Sequence, residues 1–260
     1  FRSHREQSQY LGDAQMQYDL FSYAFASDYS DFLYKTLLDF SGAQHENGQF
    51  PFITPTTVEN FSNQIPEYDM RYPDLLYQYY YYTGKTDALE EFYEVAEKAA
   101  AHWEEYIDGT GLMTKPPLWS ISDWPSSIVD DSGKYQTTMN LHMYDVFDKM
   151  SLISEVLGKD AEAASYRQKA EDISAAITAN LIDPETGIYM DSYGSEKRNP
   201  GVTAFAIFLG QAPESLRTQQ LDYIAKTELE STSVLPSKVI LTKPVLHVLL
   251  QGNDSHKEAD

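Results

Sequence analysis

The sequence predicts an all-α chain whose paired helices close into an α/α toroid, and three observations carry that prediction. Apolar residues recur at helical spacing along most of the 260 residues. Helix, short polar turn, helix is a repeated pattern, plainest at Gly84-Lys85-Thr86-Asp87-Ala88 and at Gly158-Lys159-Asp160-Ala161. The hairpins recur at irregular intervals with long aromatic loops between them, whereas a solenoid such as a tetratricopeptide array keeps a strict short period. In a toroid such loops gather at one end and build a pocket.

Taken in order, Ala14 to Phe25 carries the first helical periodicity, with Gly12-Asp13 at its start and Asp13 as a natural N-cap. Ser27-Asp28-Tyr29-Ser30 breaks the pattern before a second helix from Asp31 to Phe40. Gly48 to Pro66 is rich in Pro, Thr and Asn and reads as a long loop, which inside a helical domain is usually functional or disordered. Pro73 belongs in the first turn of the next helix, which carries Leu75, Leu76, Tyr77 and Tyr79 to Tyr82 and stops at Thr83-Gly84. The turn at Gly84 opens a helix through Ile107, and Thr137 to His142 begins another. The turn at Gly158 opens one through Leu181. A small apolar helix follows within Pro200 to Gly210, with further turns at Gly210-Gln211-Ala212-Pro213 and Gly252-Asn253-Asp254. The count is about nine helices, with Lys257-Glu258-Ala259-Asp260 as the opening of a tenth.

With 40 Asp and Glu against 19 Lys and Arg, the net charge is −21. Phosphate contacts need clustered Lys and Arg, so this balance argues against nucleic acid and anionic membranes as partners. The 20 Tyr and 12 Phe mark a folded chain with a full core, and part of that aromatic stock suits stacking on sugar rings. Cysteine is absent, which removes disulfides, thiolate chemistry and Cys-ligated zinc. No apolar run reaches the roughly 18 residues that span a bilayer. An extracytoplasmic setting, periplasmic or secreted, is the favoured compartment. The chain opens without Met and stops inside a helical pattern. The expectation is one helical-hairpin domain over residues 1–260, truncated at both ends, with further domains on the same polypeptide.

Chemistry concentrates in His4-Arg5-Glu6-Gln7-Ser8-Gln9-Tyr10-Leu11-Gly12-Asp13. Two carboxylates, Glu6 and Asp13, flank an aromatic at the entrance to a helix, where acids in an arbitrary chain serve capping and solvation. The order of residues is more specific. It resembles the catalytic loop of the α-L-rhamnosidases of glycoside hydrolase family 78, Asp-Cys-Pro-His-Arg-Glu followed by Trp or Tyr-Leu and then Gly-Asp. The resemblance implies an (α/α)6 barrel of twelve helices, the six-hairpin glycosidase fold, incomplete in this chain. It also implies that Glu6 is the general acid and that Asp13 and Tyr10 line the sugar pocket. Phe1, Arg2 and Ser3 stand where the family has Asp-Cys-Pro, so Phe1 replaces a substrate-binding Asp.

A second stretch, Pro116 to Pro125, puts Trp119, Asp123 and Trp124 into one Pro-bounded loop. It resembles the family's Asp-Trp loop, which implies Asp123 and Trp124 as substrate contacts; from the residues alone it reads more plainly as a hydrophobic plug with a capping Asp. Ile65-Pro66-Glu67-Tyr68-Asp69 stands where the family has Ile-Pro-Asp-Trp, which implies Tyr68 as a stacking aromatic, while Asp69 reads more plainly as an N-cap. Asn140 and His142 lie near a helix start, where a lone His is more often structural. Asn199-Pro200-Gly201 falls where family members read Ser-Leu-His-Ala-Asn, and Gly201 occupies the His position.

An inverting glycosidase sets a protonated acid over the leaving oxygen and a second carboxylate about 6.5 to 9.5 Å away to activate water. Glu6, kept protonated by partial burial and by nearby carboxylates such as Asp13, is the acid. No Glu before Asp260 matches the family's base. Asp130-Asp131 and Asp183-Pro184-Glu185-Thr186-Gly187 lack EF-hand spacing, and the latter is a turn signature. No metal and no cofactor is expected, and Walker A, Rossmann, HExxH and G-x-S-x-G patterns are missing. The expected function is removal of terminal α-L-rhamnose, or a related sugar, from glycosides or polysaccharides, with carbohydrate as partner. Two other readings stay open: a non-catalytic carbohydrate-binding or structural α/α toroid, and a helical scaffold for proteins.

Overall fold

The computed structural model describes residues 8–24, 29–55, 64–124, 128–230, 237 and 240–255. In chain order these form strand β1 (Gln9–Tyr10), helices α1 (Leu11–Ala24) and α2 (Ser30–Ala43), strand β2 (Ile53–Thr54), the single turn α3 (Pro66–Asp69), α4 (Tyr72–Thr83) and α5 (Asp87–Glu104). Then come α6 (Thr137–Val156), α7 (Asp160–Leu181), α8 (Pro200–Phe208), α9 (Glu214–Leu229) and α10 (Thr242–Ser255). The helical periodicity is thus realised among the described residues, while the helix opening expected at Lys257-Glu258-Ala259-Asp260 lies outside them. Gly84, at φ +69, closes α4 with its N–H on the Tyr80 carbonyl, a left-handed conformation that a side chain disfavours.

Three local expectations are corrected. Gln9 and Tyr10 pair antiparallel with Thr54 and Ile53, which keeps the backbone extended up to Tyr10 and starts α1 at Leu11. Asp13 therefore sits inside the first turn and is not the N-cap. Asp69 ends α3, and its buried carboxylate accepts the Phe50 N–H at 3.2 and 3.3 Å instead of capping a helix. Gly252-Asn253-Asp254 remains helical within α10, because Val245 and Val248 bury that helix in a core cluster and packing outweighs a few weak helix formers.

The chain divides into two compact units. The first comprises Phe1–Tyr106, Pro116–Trp119 and His142–Ala170. In it α2, α4 and α5 pack on one another and α1 lies against α3 and α4. Leu33, Leu37 and Phe40, then Leu75, Leu76 and Tyr79, then Leu89, Phe92, Ala96 and Trp103 line the buried helix faces. Burying each large one contributes about 1.5–3 kcal/mol, so these stripes dictate how the helices face. Phe50 stacks on Tyr72 at 4.6 Å and meets Phe40 edge-on at 6.2 Å. On α6, Lys149 is mostly buried and pairs with Asp145 at 2.9 Å and Asp148 at 2.8 Å, with the Asp74 charge also acting on it.

The second unit comprises Ile107–Lys115, Ser120–Leu141 and Glu171–Asp260. Here α8, α9 and α10 pack together around Ala204, Ile207, Ile224, Val245 and Val248. Asn199 caps α8 by accepting the Gly201 N–H at 2.8 Å, and its own N–H donates to Asp191 at 2.5 Å. The other Asp191 oxygen accepts the Asp130 N–H at 2.9 Å. Among the described residues, no helix is long and apolar enough to cross a membrane.

Candidate active site

Glu6 lies outside the described residues, and the described part of the N-terminal loop starts at Ser8. Ser8 donates to the Pro55 carbonyl at 3.0 Å. Gln9 uses both halves of its amide, donating to Asp39 at 2.6 Å and accepting the Thr36 hydroxyl at 2.7 Å. The Tyr10 ring stands edge-on to Phe52 at 5.8 Å. Successive anchors on α2 and around β2 thus determine where the chain enters α1.

The first turn of α1 then meets α3. Tyr68 lies across Gly12 so closely that a β-carbon there would come within 2.7 Å of its ring. Burial, and after it the Asp13 charge, pushes the Tyr68 phenol well above the ordinary tyrosine value, and the Arg71 charge pulls the other way. Arg71 donates to Gln15 at 3.0 Å, and Gln15 donates to Asp74 at 2.8 Å. His142 is buried, and desolvation, with the Arg71 charge second, holds its pKa far below the usual range. That imidazole is neutral at physiological pH.

Of the residues singled out by sequence in this unit, the structure brings Tyr68 against Gly12, the residue before Asp13, and sets Tyr10 against Phe52. Arg71 and the buried Glu67 were missed. The available signal for Arg71 was a lone cation within the acidic stretch from Glu67 to Asp74.

In the second unit Asp123 is fully buried, and its Oδ1 accepts the N–H groups of Trp124 at 2.8 Å and of Ile240 at 2.9 Å. The Ser122 hydroxyl bonds Asp131 and Thr138, and the Ser122 N–H reaches Asp131 at 3.2 Å. Burial raises the Asp131 pKa, with the Ser122 bonds opposing. Trp124 is 51% exposed and Trp119, in the first unit, 45%, so neither is a buried plug. Asn140 spends its amide on the backbone of Met113 and Gln136, at 2.7 to 3.1 Å, and acts structurally. At Gly201 a β-carbon would lie 2.8 Å from the Leu241 β-carbon, which leaves no room for the imidazole the family pattern carries there. Asp183 accepts from the Glu185 N–H, Thr186 and Arg198, the turn its sequence signals. Among the described residues, no three His, Asp or Glu side chains are grouped to hold a metal ion.

The sequence model of the bacterial α-L-rhamnosidase six-hairpin glycosidase domain matches residues 3–259. The chain belongs to that family. As a six-hairpin glycosidase domain it has the all-α fold its periodicity and its N-terminal loop led one to expect. Its fold is like that of the glycoside hydrolase family 78 rhamnosidase of Bacillus sp. GL1, with a TM-score of 0.82 at 18% identity over 95% of this chain and 26% of that one. The rhamnosidase from Klebsiella oxytoca with rhamnose bound gives 0.79 at 20% identity, covering 98% and 48%. The Streptomyces avermitilis α-L-rhamnosidase complexed with L-rhamnose gives 0.74 at 21% identity, covering 93% and 22%. This six-hairpin glycosidase domain thus spans between about a fifth and a half of the length of those structures. No curated protein matches it in sequence.

Proposed function

We propose that this domain serves a glycoside hydrolase that removes terminal α-L-rhamnose, or a related sugar, from glycosides or polysaccharides by an inverting acid/base mechanism. The observation that carries this reading is the match of the rhamnosidase domain over residues 3–259, which takes in the acid-bearing loop. The rhamnose held by the neighbours from Klebsiella oxytoca and Streptomyces avermitilis supports the choice of sugar.

Glu6 is the general acid: it gives its proton to the glycosidic oxygen as the bond to the anomeric carbon breaks, while water attacks from the opposite face. Asp13 accepts hydrogen bonds from sugar hydroxyls, with Tyr10, three residues before it, as a pocket-lining aromatic and Tyr68, packed on Gly12, as the stacking aromatic. Trp124 offers a half-exposed indole to a sugar face, and Asp123 holds the backbone that presents it. The neighbours' greater length supports further domains on the same polypeptide.

Glu6→Gln tests the assignment. Hydrolysis of an aryl α-L-rhamnoside should fall by about 10²–10⁴-fold with binding of L-rhamnose retained. Unchanged hydrolysis removes Glu6 from the role, and a chain that neither binds nor cleaves the sugar removes the whole reading. Phe1 at an expected Asp favours a second reading, a sugar-binding domain without turnover. Binding without hydrolysis by the unmodified chain selects it.

A further inference from the structure

We infer that Asp123 is a positioning residue that ties the Trp124 indole to the approach to α10, so that a sugar stacked on Trp124 is felt at Ile240. The inference rests on the glycosidase reading above, and it replaces the sugar contact that the family pattern implies for Asp123 with an action through its neighbour. Three observations carry it. Asp123 is fully buried while Trp124, next to it, is half-exposed, so of the two only the indole is open to a ligand. A single carboxylate oxygen, Oδ1, accepts the Trp124 N–H at 2.8 Å and the Ile240 N–H, 117 residues along the chain, at 2.9 Å. The far end of that link is itself anchored: Ile240 and Leu241 are buried, Leu241 lies over Gly201 at the start of α8, and the Ser237 N–H bonds Glu228 of α9 at 2.8 Å.

An indole on a loop needs such a holder. A platform free to swing gives back in ordering what it gains in contact when a sugar settles on it. The loop is pinned step by step on its inner side: the Ser120 hydroxyl donates to Gln136 at 2.7 Å, and the Ser122 hydroxyl sits between Asp131 and Thr138. Asp123 carries that series to the backbone of Trp124 itself. One carboxylate oxygen has lone pairs for both N–H groups, and removing it strands both donors at once. Because the two bonds share an atom, whatever fixes or loosens Trp124 acts on the atom that also holds Ile240. A glycine at position 201 is what lets Leu241 come in, since a β-carbon there would lie 2.8 Å from that of Leu241. The departure from the family pattern at Gly201 and the Asp-Trp pair of the loop are therefore two ends of one arrangement.

Amide hydrogen exchange on the 260-residue chain, with and without saturating L-rhamnose, tests this. The sugar should slow exchange about 2-fold or more in the peptide carrying Trp124 and in the one carrying Ile240, and the response at Ile240 should vanish in Trp124→Ala. Calorimetry supplies a second readout. Trp124→Ala should weaken rhamnose binding about 10-fold, Asp123→Ala should weaken it no more than that, and the double variant should bind no worse than Trp124→Ala alone, because a residue that works through another adds nothing once that other is gone. Asp123→Asn keeps an oxygen in the Oδ1 place and should restore most of the affinity. If Asp123→Ala does not fold, exchange on the unmodified chain decides. Protection at Trp124 with none at Ile240 overturns the inference. So do losses that multiply in the double variant, which would put Asp123 on the sugar itself. Parent affinity in Trp124→Ala overturns it too while leaving the glycosidase reading in place. An unmodified chain that binds no rhamnose fails that reading and the inference together.

Discussion

Tyr68 and Gly12 compete for the same space: the ring of one lies 2.7 Å from where the other would carry a β-carbon. Gly12→Ala must push α1 and α3 apart or turn the ring away. Gly12 has no positive φ, so the cost is steric alone. Overpacking costs about 1–3 kcal/mol and alanine's helix propensity returns up to about 1 kcal/mol, so a net loss of about 1–2 kcal/mol is expected from urea unfolding. Rhamnose affinity should fall alongside. A variant as stable and as tight-binding as the parent would show that the contact is soft.

His142 gives the domain a pH dependence of known sign. Burial, then the Arg71 charge, keeps it neutral in the fold, whereas the unfolded chain takes up a proton at the ordinary histidine value. Its contribution is therefore complete above about pH 6.5 and is lost as pH falls below it, because the unfolded state then binds the extra proton. His142→Gln should reduce the drop in melting temperature between about pH 7 and about pH 5, and an unchanged drop would refute the assignment. Burial shifts His45 and His102 in the same direction, so the slope lessens without vanishing.

Asn199 is both the cap of α8 and, through its N–H, a tenant of Asp191. Asn199→Ala removes the cap together with longer side-chain bonds to the Ile128 carbonyl and the Ser237 hydroxyl, both at 3.3 Å, and thermal unfolding should report a loss of about 1 kcal/mol or more. Asn199→Asp, which keeps the acceptor, should recover most of that loss; if it recovers none, the side chain matters for something other than capping.

Asp183 acts in the same direction as His142, at lower pH. Hydrogen bonds from the Glu185 N–H, Thr186 and Arg198 hold its pKa at about 2 against an ordinary 3.8. A depressed carboxylate stabilises above its unfolded value and loses that effect as pH falls through the folded one. Asp183→Asn should therefore unfold at lower urea than the parent at neutral pH, and the two midpoints should converge as acid takes the parent from pH 3.8 to about 2. A gap that persists in acid would mean that the charge is not what Asp183 contributes.

What sequence conveyed well was whatever acts locally. Pro73 at the start of α4 and Gly84 past its end, or Asp183 within its turn, work through their own backbone neighbourhood. What it could not convey were partners far along the chain. Asp123 was read as a sugar contact or a cap, yet one of its partners is the Ile240 N–H, 117 residues away. The glycine in place of a family histidine at position 201 was visible, but its cause, the Leu241 side chain, was not. The turn expected at Gly252-Asn253-Asp254 failed for the same reason, since the core around Val245 and Val248 outweighs local composition. In the candidate site Asp13 was recognisable from its motif, while the close approach of the Tyr68 ring to Gly12, from a segment far along the chain, was not.

The Lys149 cluster bears on how the domain behaves in brine. A surface carrying 21 excess negative charges repels itself, and added salt shortens the reach of that repulsion to about 3 Å at molar concentration. Lys149, its side chain only 17% exposed between Asp145 and Asp148, is largely beyond the reach of mobile ions. Salt thus relieves the outside and spares the attraction within, so the folded state gains from ionic strength where proteins with balanced surfaces gain little.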